Sequence, residues 1–111
     1  MRRIFFQTHV FAKKIDSRGS DFLLRRIEAE ILKNPEAGDI VQATGGVRKL
    51  RVEDPTRQKG KRGGFRVLYL DLPARAETFL IVFYGKDEAD DLSPQAKKLV
   101  AHLVSEIKKE A

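Results

Sequence analysis

From Thr78 to Tyr84 the chain reads Thr-Phe-Leu-Ile-Val-Phe-Tyr, seven residues without a charge. β-branched and aromatic side chains favour a strand. A strand that is apolar at almost every position belongs in the middle of a sheet, where both faces are covered. The rest of the chain must therefore supply flanking strands and covering layers. Phe65 to Leu70 reads as one neighbour, with Arg66 on the same face as Leu68 and Leu70. Gly45-Gly46 signals a turn, and Val47 to Val52 reads as another strand. Period two places Val47, Lys49 and Arg51 on one face of it, and Arg48, Leu50 and Val52 on the other. A turn is expected near Leu72-Pro73, and the Gly- and Lys-rich stretch from Glu53 to Gly64 reads as a hairpin loop.

Helical spacing supplies the covering layers. Leu24, Ile27 and Ile31 recur on one stripe, widened by Leu23 and Leu32. Ser20 is a candidate N-cap, Asp21 suits the first turn, and Asn34-Pro35 stops the helix. The last helix starts with Ser93 as cap and Pro94 at the first position, where its missing N–H costs nothing. Leu99, Val100, Leu103, Val104 and Ile107 then define one face. At the other end, Ile4 to Gln7 reads as a short strand and Phe11 to Ile15 as a helical turn, before a loop through Gly38-Asp39 leads into Ile40-Val41. Strand, helix, three consecutive strands and helix predict an α+β fold with a mainly antiparallel sheet. The 111 residues fit a single domain, 1–111.

Composition narrows the chemistry. There is no cysteine, which removes disulfides, thiol nucleophiles and thiolate zinc sites and suits a reducing cytoplasm. The N-terminal Met1-Arg2-Arg3 and Ile4-Phe5-Phe6 faintly resemble a signal peptide, but Gln7-Thr8-His9 break the apolar run. No stretch reaches the length of a membrane span. The formal net charge is +6, which favours a polyanionic partner. Between Arg48 and Arg66 stand eight basic residues against two acids, a surplus of six that equals the net charge of the whole chain. An anion site is therefore expected in this window.

Lys49 and Arg51 project from one strand face about 7 Å apart, and an adjacent strand carrying Arg66 brings a third cation beside them. Three convergent cations suit a phosphate gaining charge in a transition state; an exposed sheet face of solvated charge is an equally good reading of the same residues. The loop Lys59-Gly60-Lys61-Arg62-Gly63-Gly64 offers glycines for close approach to a phosphate and cations to attract it. It lacks the Ser or Thr of a nucleotide-binding P-loop, and a solubilising hairpin loop is the plainer reading. Tyr84-Gly85-Lys86 offers a ring to stack on a base and a cation for phosphate, although Tyr84 is equally a packed strand-end residue. Asp87, Glu88, Asp90 and Asp91 lie far in sequence from His9 and His102. They read as a solvated segment complementing the next helix's dipole, not as a metal site. No cofactor or metal is expected.

Taken together, Asn34-Pro35 with Gly38-Asp39, Thr44 to Arg51 (TGGVRKLR), Gly60 to Tyr69 (GKRGGFRVLY) and Tyr84 to Glu88 (YGKDE) resemble the HigB-like branch of the RelE/ParE toxins of type II toxin–antitoxin systems. The resemblance runs over nearly the whole chain. It implies a small RelE-like fold, a curved antiparallel sheet packed by two N-terminal helices and a C-terminal helix. It also implies a ribosome-dependent, metal-independent endoribonuclease, an mRNA interferase that inhibits translation. Such an enzyme cleaves A-site mRNA through its own 2′-hydroxyl and leaves a 2′,3′-cyclic phosphate.

By the same resemblance, Lys49 and Arg51 match the paired basic residues of the central strand, Arg66 the arginine after a Gly-aromatic pair, and Lys86 a basic position after the last strand. These four are the candidate catalytic residues, with Arg48, Lys59, Lys61, Arg62 and Tyr84 as candidate RNA contacts. Lys49 crowded by arginines suits a general base, Arg51 and Arg66 suit the phosphorane, and Lys86 the leaving oxygen. RelE carries a base-stacking tyrosine near the start of its last helix where this chain has Leu92-Ser93, and Tyr84 is the available substitute. The implied partners are the ribosome with its mRNA and a cognate antitoxin with a helix-turn-helix domain. Operator DNA would be bound only by the toxin–antitoxin complex. Two other functions remain open on the sequence: a ParE-like inhibitor of DNA gyrase, and a non-catalytic RNA-binding module.

Overall fold

A computed structural model of the chain describes residues 2–18, 21–53, 64–85 and 91–110. Among them lie five strands, β1 (Ile4–Gln7), β2 (Asp39–Ile40), β3 (Arg48–Val52), β4 (Phe65–Leu72) and β5 (Glu77–Gly85). Three α-helices accompany them, α1 (His9–Arg18), α2 (Asp21–Lys33) and α3 (Pro94–Lys109). The strands form one sheet in the order β1-β5-β4-β3-β2. β1 runs parallel to β5, and every other neighbouring pair is antiparallel. The result is an α+β fold with a mostly antiparallel sheet, the class the strand and helix order predicts.

Both faces of the sheet are covered, which explains the uninterrupted apolar character of β5. On one face Phe11 and Ile15 of α1 and Leu23, Ile27 and Ile31 of α2 pack against Leu50, Val52, Phe65, Val67, Tyr69 and Phe83. On the other, Val100, Val104 and Ile107 of α3 pack against Val41, Val47, Leu68, Leu70, Ile81 and Tyr84. Burying one such side chain is worth about 1.5–3 kcal/mol, so each helix is held by its apolar stripe more than by intrinsic propensity. Leu99 departs from the expected helix face. It is 73% exposed, because the buried stripe of α3 runs through Val100, Val104 and Ile107 and leaves Leu99 on its flank.

Local signals explain most boundaries. The Ser93 hydroxyl accepts from the amide of Ala96, with Pro94 in the first helical turn, so α3 starts where its cap dictates. At its other end Arg75 donates to the carbonyls of Ile107 and Lys108, two of the orphan acceptors of a helix C-terminus. The expected turn at Phe11–Ile15 is in fact the ten-residue helix α1. Its cap is Thr8, whose hydroxyl accepts from the Phe11 amide and donates to the Ile81 carbonyl on β5. The register between β4 and β5 shifts at this level, and Thr8 thus ties β1, α1 and the irregularity in β5 together. The expected strand at Ile40-Val41 is the pair Asp39–Ile40; Val41 follows with a single backbone bond to Val47. Gly38 precedes it at φ +83, and a Cβ there would fall on the carbonyl oxygen of Lys49. Only glycine lets this loop lie against β3. The expected Ser20 cap and the stretch from 54 to 63 lie outside the described residues. No described helix is long and apolar enough to cross a membrane.

Candidate nucleic-acid interface

Strand register assembles the site. Arg51 on β3 pairs with Arg66 on β4, and Arg66 pairs with Tyr84 on β5. Directly opposed residues in an antiparallel sheet project from the same face with their Cβ atoms about 5 Å apart. The three therefore form a row across adjacent strands, on the face that α3 also uses. One step along, Lys49 opposes Leu68, which opposes Val82. Period two places Lys49 and Arg51 on one face, and the register of β3 with β4 brings Arg66 to that face.

Their surroundings differ sharply. Arg51 is exposed, while Arg66 is only 6% exposed. The Arg66 guanidinium makes one long hydrogen bond among the described residues, 3.4 Å from Nη1 to the Gly64 carbonyl. Among those residues it forms no ion pair with a carboxylate. A buried cation is normally paired or fully hydrogen-bonded because its desolvation is costly. Among the described residues, the rest of the Arg66 donors have no protein acceptor.

Lys49 is half-buried, and its Nζ lies 3.9 Å from Oδ1 of Asp91. The same carboxylate oxygen accepts the amide of Leu92, just ahead of the α3 cap. Sequence reading places Asp91 only in a solvated acidic segment. What links it to Lys49 is the crossing of α3 over the sheet, and no spacing in the chain reveals that.

Arg48 is not brought into the row. It sits on the opposite face of β3, where its guanidinium donates to the carbonyls of Glu36 and Gly38. Tyr69, its cross-strand neighbour, shares its hydroxyl proton between the carbonyls of Pro35 (3.0 Å) and Ala37 (2.6 Å). Burial pushes the Tyr69 phenol up to about 12, with Arg48 pulling it down and Asp71 and Glu36 pushing it up. The pair anchors the loop that carries Gly38. Tyr84 belongs to the row but is 6% exposed and packs in the core beneath α3, so its ring offers no open face for a stacked base. Lys59, Lys61, Arg62 and Lys86 lie outside the described residues.

A second feature adjoins Arg51. Arg51, Val52 and Glu53 form one wall of a cleft of about 450 Å³, and Arg26 and Glu30 of α2 form the other. It exists because β2 pairs only with Arg48 and Lys49, leaving this edge of β3 beyond Lys49 without a strand neighbour among the described residues. Arg26 carries no motif that marks it; it is one of several exposed cations on α2. Among the described residues no three His, Cys, Asp or Glu side chains are grouped to hold a metal. A scan of the chain against protein-family models finds no match.

Proposed function

We propose that this chain is the toxin of a type II toxin–antitoxin system, a ribosome-dependent mRNA endoribonuclease acting in the cytoplasm. The observation that carries the reading is Arg66, a buried guanidinium with one long hydrogen bond among the described residues, aligned with the exposed Arg51 on one sheet face beside Lys49. The likeness of the sequence blocks to HigB-like toxins supplies the ribosome, the mRNA and the helix-turn-helix antitoxin. Operator DNA would be bound by the complex with that antitoxin.

In the reaction, the ribose 2′-oxygen attacks the adjacent phosphorus and the bond to the 5′-oxygen breaks. A proton passes from the first oxygen to the second, leaving a 2′,3′-cyclic phosphate and a 5′-hydroxyl. Charge builds on the non-bridging oxygens, and donors fixed in a partly dry site stabilise that state more than the ground state. Arg66 and Arg51 take this role. Asp91 beside Lys49 marks the lysine as an ion-pairing group, so we assign it to the phosphate rather than to proton transfer. Arg48 is assigned to holding the loop between α2 and β2.

The test is cleavage of mRNA on purified, stalled ribosomes, followed by end-group analysis of the fragments. Cyclic-phosphate ends are expected, and Arg66→Ala should slow their formation about 100-fold or more. Unchanged cleavage by Arg66→Ala would remove the assignment. The exposure of Arg51 and the ion pair of Lys49 favour one competitor, a basic face that binds RNA without cutting it. On that reading no cyclic-phosphate end forms under any condition, and Lys49→Ala and Arg66→Ala weaken RNA binding together.

A further inference from the structure

The ion pair between Lys49 and Asp91 has a consequence for substrate binding that rests on the phosphate reading of Lys49. Asp91 is not a wandering surface acid. Its Oδ1 accepts the Leu92 amide at 2.9 Å, Leu92 packs on the core beneath α3, and Ser93 caps the helix directly after it. The carboxylate is thus placed by the start of α3, with Lys49 Nζ 3.9 Å away. It is also the one carboxylate among the described residues that pairs with a cation of the proposed site. We propose that Asp91 is a built-in competitor for the substrate phosphate, an autoinhibitory counter-ion that a nucleic-acid phosphate must displace from Lys49.

The physics gives this a signature beyond affinity. A cation on a protein surface that binds a phosphate lets the nucleic acid release condensed counterions, and affinity falls with salt accordingly. A phosphate that approaches Lys49 also approaches the fixed negative charge of Asp91. That repulsion offsets part of the gain from the lysine, so Lys49 contributes less than a full cation to the salt dependence. Removing the carboxylate restores the missing share. The 59% exposure of the Asp91 side chain keeps the effect modest, since exposed pairs are screened by solvent.

The experiment measures fluorescence anisotropy of a labelled 2′-O-methyl RNA oligonucleotide, which lacks the attacking hydroxyl, across a potassium chloride series. The whole chain is used as wild type, Asp91→Asn, Lys49→Met, the double variant and Asp16→Asn. The asparagine side chain still has an oxygen to accept the Leu92 amide, so Asp91→Asn retains the α3 start. Asp16 is an exposed acid on α1 and reports the generic effect of deleting one negative charge. Asp91→Asn should bind roughly 1.5- to 5-fold tighter at low salt and steepen the slope of log K against log salt by up to about 0.7. Both gains should vanish in the Lys49→Met background, and Asp16→Asn should show neither. An Asp91→Asn variant with unaltered affinity and slope overturns the proposal, as does a gain that survives Lys49→Met. If Lys49→Met itself leaves binding unchanged, the phosphate reading of Lys49 fails first and takes this inference with it.

Discussion

Burying a guanidinium in a sheet costs free energy that hydrogen bonds and counter-charges ordinarily offset, and among the described residues Arg66 has one long bond to Gly64. An apolar side chain of similar length should therefore serve the fold as well or better. Arg66→Met is expected to leave the midpoint of urea unfolding unchanged or to raise it at constant m-value, a gain in stability of up to about 2 kcal/mol. The same variant should lose cleavage. A variant that is both unstable and inactive would instead make Arg66 a structural residue. Tyr69 carries the opposite kind of polar burial, with its hydroxyl satisfied by Pro35 and Ala37. Its folded pKa, pushed up to about 12, lies above the usual value near 10. The folded state then holds the phenolic proton more tightly than the unfolded state. The stability this provides is complete below about pH 10 and is lost as pH rises toward about 12. Tyr69→Phe should flatten that alkaline decline in denaturation midpoints. At neutral pH it should also cost about 1–1.5 kcal/mol, because two loop carbonyls lose a donor.

Elements differ in how far they announce themselves. β4, β5 and α3 were legible because each carries its own signal: an apolar run, a turn at Leu72-Pro73, a Ser93-Pro94 start. The placing of Lys49 and Arg51 on one face is legible for the same reason, since a strand's period of two is local. The alignment of Arg51 with Arg66 and Tyr84 was not, because register is set across strands. The burial of Tyr84 agrees with its reading as a packed strand-end residue, and what covers it is α3. α1 is longer than its sequence signal because its cap, Thr8, closes β1 without a linker, so strand and helix signals abut. That junction can be probed directly. Thr8→Val keeps the shape but removes the α1 cap and the bond to Ile81, and should cost about 1–2 kcal/mol in thermal or chemical unfolding. Gly38→Ala forces a side chain onto the Lys49 carbonyl at a positive φ. It should destabilise by more than the roughly 0.4–1 kcal/mol that a Gly-to-Ala change gains where the backbone is compatible, and should perturb Lys49 through the β2–β3 pairing. Amide chemical shifts along β3 would report the second effect, and unshifted β3 amides would separate Gly38 from the site.

At the scale of the molecule the charge is lopsided in sequence, with a surplus of six confined to Arg48–Arg66 and balance elsewhere. The fold sends the four of these cations that lie among the described residues in different directions. Arg48 turns to the face of α1 and α2 and is spent on loop carbonyls, while Lys49, Arg51 and Arg66 share the face of α3. If nucleic acid is bound by net charge alone, cations on any surface contribute alike. If it is bound by the α3 face, position decides. The slope of log K against log salt for a single-stranded RNA separates these cases, since each phosphate contact adds about 0.7. Arg51→Met should lower the slope by about one contact, and Lys13→Met on the exposed side of α1 should leave it unchanged, although both remove one positive charge. Equal losses from the two variants would mean that the chain binds RNA as a diffuse polycation. In that event the row across β3, β4 and β5 would have no special claim on the phosphate.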